Sequence, residues 1–323
     1  MITRIGGLNI FLLAAGLGTR LKPLTLKYPK PTIPFLNVPM GLYPFRFLNQ
    51  LPINSFTVNT FHLPEQIHKL YKNQPFYKNE INFSDETDLI LGSAGGLKFA
   101  QPLMVPNQSV LMMNADEIFF TPDSQFLVNA HKHHLEQQNL ATLVVTEHPE
   151  AGNKFGAIWA NNLNVVEIGK VKPSKIETQP WHYIGLIFLS AEIFKFIKEK
   201  TELNIFYDIL NPLMQKEREP KIQIYPISTR WYETGNPFDY FTATQQALTH
   251  ADQELFTFIN QYDDSLFVQN EKTMSLVSKS QNLNFKNLAG TNVISKTAPI
   301  LENQNFTDMI AFENEILNLS YFS

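Results

Sequence analysis

Leu12-Leu-Ala-Ala-Gly16-Leu-Gly18-Thr-Arg20-Leu-Lys-Pro-Leu-Thr25 runs on to Tyr28-Pro29-Lys30-Pro31 near the start of the chain. An apolar strand, read as Asn9–Ala15, enters a loop with two glycines and then meets cations. Glycine has no Cβ, so backbone N–H groups in such a loop can approach a phosphate closely. The planar fork of Arg20 can hold two phosphate oxygens, and Lys30 adds a compact charge. Pro29 and Pro31 stiffen the approach to Lys30 by fixing φ on either side of it. Two familiar phosphate loops do not fit. Leu21 stands where a dinucleotide fingerprint needs its third glycine, and no Gly-Lys-Ser/Thr follows. A Gly-x-Gly after a strand can be only a tight turn; Arg20 and Lys30 at these spacings are what point to phosphate.

Outward from this loop, short apolar runs alternate with helical patterns. Asn9–Ala15, Ser55–Thr60, Val110–Asn114, Ala141–Thr146, Gly185–Ser190 and Ile222–Ile227 read as strands. Several are apolar on both faces, as strands covered by helices on both sides must be. Leu63–Lys72, Ser124–Gln138 and Ala191–Lys200 show helical spacing, with Phe126, Leu127, Ala130 and Leu135 able to share one side and Ser190 as an N-cap. This alternation predicts an α/β fold, a doubly wound, mixed and mostly parallel sheet. The texture changes after Ala251. Leu266–Ser323 is rich in Asn and Ser, with brief β-branched pairs and no helical period. A boundary is expected in the helix-like segment Asn236–Gln261, dividing residues 1–250 from a small β-rich tail at 251–323.

Composition removes whole classes of function. The 323 residues include no cysteine, which excludes disulfides, thiolate zinc sites and Cys nucleophiles. Net charge is −4 with no long basic run, so nucleic acid is not an expected partner. Met1–Gly7 is too short and weakly charged to read as the opening of a signal peptide, and Ile10–Ala15 is far below the roughly 20 residues of a membrane span. A soluble, non-membrane, cytoplasmic protein is expected.

Further blocks extend the site. Glu86-Thr-Asp-Leu-Ile-Leu91-Gly92-Ser93-Ala94-Gly95-Gly96-Leu97 is a second glycine-rich run of small residues. Leu111-Met-Met-Asn114-Ala115-Asp116 puts a carboxylate at the carboxyl end of a strand, where open α/β sheets bind ligands. Trp181-His-Tyr183-Ile184-Gly185 and Arg230-Trp231-Tyr232-Glu233-Thr234-Gly235-Asn236-Pro237 complete the series. His131-Lys-His133-His134 could suggest a metal, but reads as a solvated polar helix face. Phe194 and Phe196 read as core or contact surface.

Taken in this order, the blocks resemble the sugar-phosphate nucleotidyltransferase family over residues ~8–245, with a Rossmann-like nucleotidyltransferase fold. The resemblance implies that Ala14, Gly16, Gly18, Thr19, Gly92, Ser93 and Gly95 bind nucleotide, and that Arg20, Lys30 and Asp116 carry catalysis. It implies Mg²⁺ on Asp116 and Glu233, and sugar phosphate on Lys172, Gly185 and Glu233. Three departures stand out: Ala115 replaces a glycine, Val171 replaces a glutamate before Lys172-Pro173, and Glu233 replaces an aspartate. Lys170 and Lys175 compete with Lys172 for the phosphate. The implied reaction joins an NTP to a sugar 1-phosphate, releasing pyrophosphate, with a weak leaning to mannose-1-phosphate guanylyltransferases. Other readings are a non-hexose phosphate acceptor or a catalytically weak, nucleotide-sugar-binding regulatory subunit. The tail resembles a short, degenerate hexapeptide β-helix that packs on the first unit or on a second subunit, so a homo-oligomer stays open.

Overall fold

The computed structural model describes residues 6–174, 177–215, 220–250, 253–281, 283, 288–299 and 305–318. Nine strands form the main sheet: β1 Leu8–Leu13, β2 Ile53–Thr60, β3 Asn82–Asp85, β4 Ser109–Asn114, β5 Ala141–Thr146, β6 Ala157–Asn161, β7 Asn164–Gly169, β8 Gln179–Leu189 and β9 Ile222–Pro226. Their order is β3-β2-β1-β4-β8-β5-β9-β7-β6. The pairings β3–β2, β2–β1 and β1–β4 are parallel; β8 lies antiparallel between β4 and β5. The sheet is therefore mixed, as expected, but not mostly parallel: β5–β9 is parallel, whereas β9–β7, β7–β6 and β8–β6 are antiparallel too. Strand β8 carries Tyr183 and Gly185.

The apolar runs are apolar because both faces are covered. Along β1, Leu8, Ile10 and Leu12 enter the core on one face and Phe11 the core on the other. β4 repeats this with Leu111 and Met113 against Val110 and Met112. This is the period of two expected of a pleated strand. Each such side chain, fully buried, contributes roughly 1.5–3 kcal/mol.

Helices α1 Pro64–Lys72, α2 Gly92–Ala100, α3 Phe126–Glu136, α4 Pro237–Thr249 and α5 Gln253–Tyr262 surround the sheet. The glycines at 92, 95 and 96 lie within the first turns of α2. Three details differ from the sequence reading. Ala191–Lys200 is no α-helix: only Ala191–Lys195 is helical, as 3₁₀ turns with Ile193 N donating to Ser190 O and Phe196 N to Ile193 O. Ser190 makes no side-chain cap there. The buried anchors Ile193 and Ile197 need only a short turn beneath them, so no longer helix is selected. The segment Asn236–Gln261 is two helices, α4 and α5.

The histidines of α3 are the third difference. His131 and His134 are 0% and 1% exposed, whereas Leu135 is 37% exposed. The inward stripe of α3 is Leu127, Ala130, His131 and His134, the i, i+3, i+4, i+7 pattern of one helix face. Both imidazoles lie against Phe188. Burial pushes them down, to about 4 for His131 and about 3 for His134, the latter helped by its histidine neighbours. They are neutral core side chains, not a solvated face.

The tail is a five-stranded sheet in chain order: β10 Ser265–Gln269, β11 Thr273–Ser278, β12 Leu288–Ile294, β13 Phe306–Phe312 and β14 Glu315–Asn318. β11–β12 and β12–β13 are parallel, and the outer pairs antiparallel. Leu276, Val293 and Ile310 stand in register at 17-residue intervals. They join the same core as β1, so the tail is packed on the main unit. Asn37 fastens the junction, its Nδ2 donating to Ser265 Oγ at 3.0 Å and Ile294 O at 3.1 Å. Phe312 meets Tyr28 edge-on, and Lys27 pairs with Glu315 at 2.7 Å.

Candidate functional site

β1 and β4 are neighbours, and the sheet order turns back between them: β2 and β3 lie on the β1 side, and β5 to β9 on the β4 side. Ligands of such sheets bind beyond the strand ends at that point. Leu13 and Asn114 are paired across the two strands, so the residues that follow each of them meet. They open a cleft of about 290 Å³ whose lining includes Ala14, Gly16, Gly18, Lys30, Gly92, Ser93 and Asp116. Seven residues singled out from sequence are thus brought together.

Local geometry explains the glycine loop. Gly18 has φ 59°, left-handed backbone that favours glycine, and a Cβ there would lie 2.8 Å from Thr25 Cγ2. Thr25 Oγ1 and Leu21 N both donate to Gly18 O at 2.9 Å, closing the loop. Gly16 differs: a Cβ would meet nothing within 4 Å. No protein atom demands glycine at 16, whose open face is the cleft. Thr19 and Arg20 follow in an exposed 3₁₀ turn.

Lys30 and Asp116 form the centre. Lys30 Nζ lies 2.7 Å from Asp116 Oδ2; the two side chains are 11% and 36% exposed. Burial by itself would raise the Asp116 carboxyl. The charge and hydrogen bond of Lys30, with Arg20 further off, override it and hold Asp116 below the usual carboxylate range. Asp116 is therefore an anion facing the cleft. Thr234 Oγ1 donates to Asp116 O at 3.4 Å, which brings the Glu233 segment alongside. Glu233 itself turns back, Oε1 accepting from Gly235 N at 2.6 Å. The Arg20 guanidinium lies over Gly235, where a Cβ would come within 2.8 Å of its Cζ.

The second wall is α2. Gly92 has φ 69°, and Leu203 O is 2.7 Å from where its Cβ would stand. Ala94 N and Gly95 N donate to Leu203 O, while Ser93 Oγ accepts from Ile205 N. Gly95 is packed beneath the cleft against Thr201 O, a scaffold position more than a lining one.

Lys172 and Gly185 lie outside the cleft lining, as do Thr19, Arg20, Gly95 and Glu233. Lys172 is exposed on the loop after β7, beside Val171 at 80% exposure. Lys170 is likewise exposed, and Lys175 falls outside the described residues. Gly185 has φ 78°, and a Cβ there would collide with Glu117 Cγ. Its glycine is required by Glu117, which sequence reasoning passed over although it follows Asp116 directly. Glu117 accepts from Trp231 Nε1 at 2.8 Å and Asn114 Nδ2 at 3.1 Å. Burial and the Asp116 charge push its carboxyl up to about 7. Trp231 packs in turn on His148, Phe155 and His182.

Among the described residues no group of three or more His, Cys, Asp or Glu is placed to hold a metal ion. One ionised carboxylate at a phosphate-sized cleft suits Mg²⁺, which is usually held by one or two carboxylates together with substrate phosphates and water. No helix among the described residues is long and apolar enough to cross a membrane.

Residues 10–250 match the model of the nucleotidyl transferase family. The chain is 30% identical over 240 residues to mannose-1-phosphate guanyltransferase 2 of Candida glabrata, covering 72% of this chain and 63% of that protein. It is 26% identical over 254 residues to UTP–glucose-1-phosphate uridylyltransferase of Synechocystis sp., covering 75% of this chain and 64% of that one. The match thus spans a little under two thirds of these relatives' length. Among solved structures, a UTP-bound UGPase from Acinetobacter baumannii superposes with TM-score 0.62 at 15% identity, over 77% of this chain and 96% of that chain. An inositol-1-phosphate CTP transferase from T. maritima gives 0.58 at 15%, over 79% and 95%. These structures share the fold.

Proposed function

This chain belongs to the nucleotidyl transferase family, and from that premise we propose that it joins an NTP to a sugar 1-phosphate and releases pyrophosphate. The observation that carries the proposal is the Lys30–Asp116 pair at the meeting point of β1 and β4, in a cleft walled by the Gly16–Gly18 loop and α2. Names alone leave the substrate open, because guanylyl and uridylyl relatives match to similar extents.

An oxygen of the sugar phosphate attacks the α-phosphorus of the NTP. That P–O bond forms as the bond from the α-phosphorus to the β-bridging oxygen breaks, and the electron pair leaves with pyrophosphate. The attacking phosphate is already an anion, so no general base is needed. What the protein supplies is position and compensating charge. The open face of Gly16 and the Gly18 turn receive the phosphates. Arg20 and Lys30 neutralise the charge that gathers on pyrophosphate. Asp116 would hold Mg²⁺, with Glu233 as its second carboxylate, and the ion would supply Lewis-acid neutralisation of phosphate charge. Lys172 and the Gly185–Glu117 side form the acceptor end.

The division into a catalytic unit, 1–250, and a tail, 251–323, is part of the same reading. We take the parallel strands β11, β12 and β13, stepping by 17 residues, as a short β-helix-like coil. A cytoplasmic location, where NTPs are at hand, is part of the same proposal.

The test is pyrophosphate release with GTP, UTP, dTTP, CTP and ATP against mannose 1-phosphate, glucose 1-phosphate and phosphocholine. Turnover with one NTP and a sugar 1-phosphate supports the proposal. Turnover only with phosphocholine moves the acceptor. Nucleotide binding without release from any pair overturns catalysis in favour of a binding subunit.

A further inference from the structure

Two buried side chains join the walls of the nucleotide cleft, and one of them, Asn59, also lines it. Glu86 is 5% exposed and Asn59 1%. Glu86 Oε2 accepts from Leu91 N at 2.7 Å, at the threshold of α2. Glu86 Oε1 accepts from Asn59 Nδ2 at 2.7 Å. Asn59 Oδ1 accepts from Ala14 N at 2.8 Å, at the exit of β1. A Cβ on Gly96 would lie 2.6 Å from Glu86 Oε1 and 2.9 Å from Asn59 Nδ2, so that glycine makes room for the link.

The chain of donors and acceptors ties the identities of residues 59 and 86 together. Ala14 N and Leu91 N are fixed main-chain donors, so each end of the link must be an acceptor. An amide at 59 that accepts from Ala14 N presents its NH₂ to residue 86. Residue 86 must then accept at both ends, which a carboxylate does and an amide does not. We propose that Glu86 and Asn59 are positioning residues that set the spacing between the Ala14–Gly18 loop and the Leu91–Ser93 wall, and so tune nucleotide affinity. This rests on the proposed nucleotidyl transfer, and the test separates the two.

In Glu86→Gln the Gln oxygen must serve Leu91 N, so its NH₂ faces the NH₂ of Asn59. A buried donor is left unmet. In Asn59→Asp two carboxylates face each other. In the double variant Glu86→Gln/Asn59→Asp the Gln NH₂ donates to Asp, whose other oxygen accepts from Ala14 N. Every bond and the single negative charge are restored.

Calorimetry of the full chain with Mg²⁺ and the tightest-binding of GTP, UTP, dTTP, CTP and ATP reads the effect. Each single variant should bind roughly 10-fold or more weakly. The double variant should return to within about threefold of wild type, a coupling that only interacting sites show. Thermal melting of all four proteins identifies a variant that has not folded; a folded double variant decides the matter even if a single one is lost. Wild-type affinity in folded single variants, or a folded double variant no better than the singles, overturns the link. Failure of the wild type to bind any of the five nucleotides overturns the functional reading itself.

Discussion

Lys30 Nζ rests 2.7 Å from Asp116 Oδ2, so the phosphate-binding cation and the proposed metal-binding anion neutralise each other across the cleft. Lys30 comes from the turn after the glycine loop and Asp116 from the end of β4, 86 residues on. The pair holds Asp116 ionised despite its burial, the state in which it can accept a cation.

Asp116→Asn preserves shape and the contact with Lys30 while removing the charge. Turnover should fall on the order of 10²-fold or more, as when a strong electrostatic group is lost from a site. Nucleotide binding, measured by calorimetry, should persist through Arg20 and Lys30. Near-normal turnover in this variant would sink the assignment.

Glu233 allows its charge to be tested apart from its contact with Gly235. Glu233→Gln keeps an oxygen for Gly235 N, so the turn should hold while the carboxylate is lost. A raised Mg²⁺ requirement and lower turnover are expected. Glu233→Asp should retain substantial activity, because Asp readily accepts from the N–H two residues on. If Glu233→Gln matches wild type across a Mg²⁺ titration, Glu233 is only a turn residue.

His131 should make the protein sensitive to acid. Its folded pKa, about 4, lies below the ordinary value of 6.5 because burial opposes its charge. Between these values the unfolded chain binds the proton and the native one does not, so stability falls as pH falls from about 6.5 to about 4. His134, near 3, extends the loss further. His131→Phe should flatten this limb in denaturant titrations at pH 7 and pH 4.5. Equal pH slopes for variant and wild type would refute the assignment.

Phe312 tests whether the tail folds with the main unit. It is 2% exposed in the core shared with β1 and meets Tyr28 edge-on. Phe312→Ala should cost about 3–5 kcal/mol on a single unfolding transition. Glu315→Gln removes an ion pair whose lysine is 66% exposed and should cost under about 1 kcal/mol. Two separated transitions in Phe312→Ala would show an independently folding tail.

Much of the site was legible because its parts are local. Gly18 needs glycine for its own φ, Lys30 lies between two prolines, and Asp116 ends an apolar strand. The parallel run β2-β1-β4 was legible because strands covered on both faces must be apolar throughout. One feature of a single segment reads differently in the structure: histidines mark α3 as polar by residue type, although spacing puts His131 and His134 on the inner stripe. The Glu117 contact that requires glycine at 185 joins separate segments and leaves no local mark.

By itself, then, the sequence determined the alternating strand–helix order, the glycine loop and the identity of the charged groups, since periodicity, allowed φ and side-chain chemistry are properties of short stretches. Only the tertiary structure decided which groups meet. Lys30 reaches Asp116 because β1 and β4 are adjacent and end together. Glu86 reaches Ala14 through Asn59 because β2 lies next to β1 and the chain after β3 folds over it. Such contacts join residues from separate stretches of the chain. They are selected by burying both faces of the sheet and by meeting every buried donor, a global condition that no single segment records.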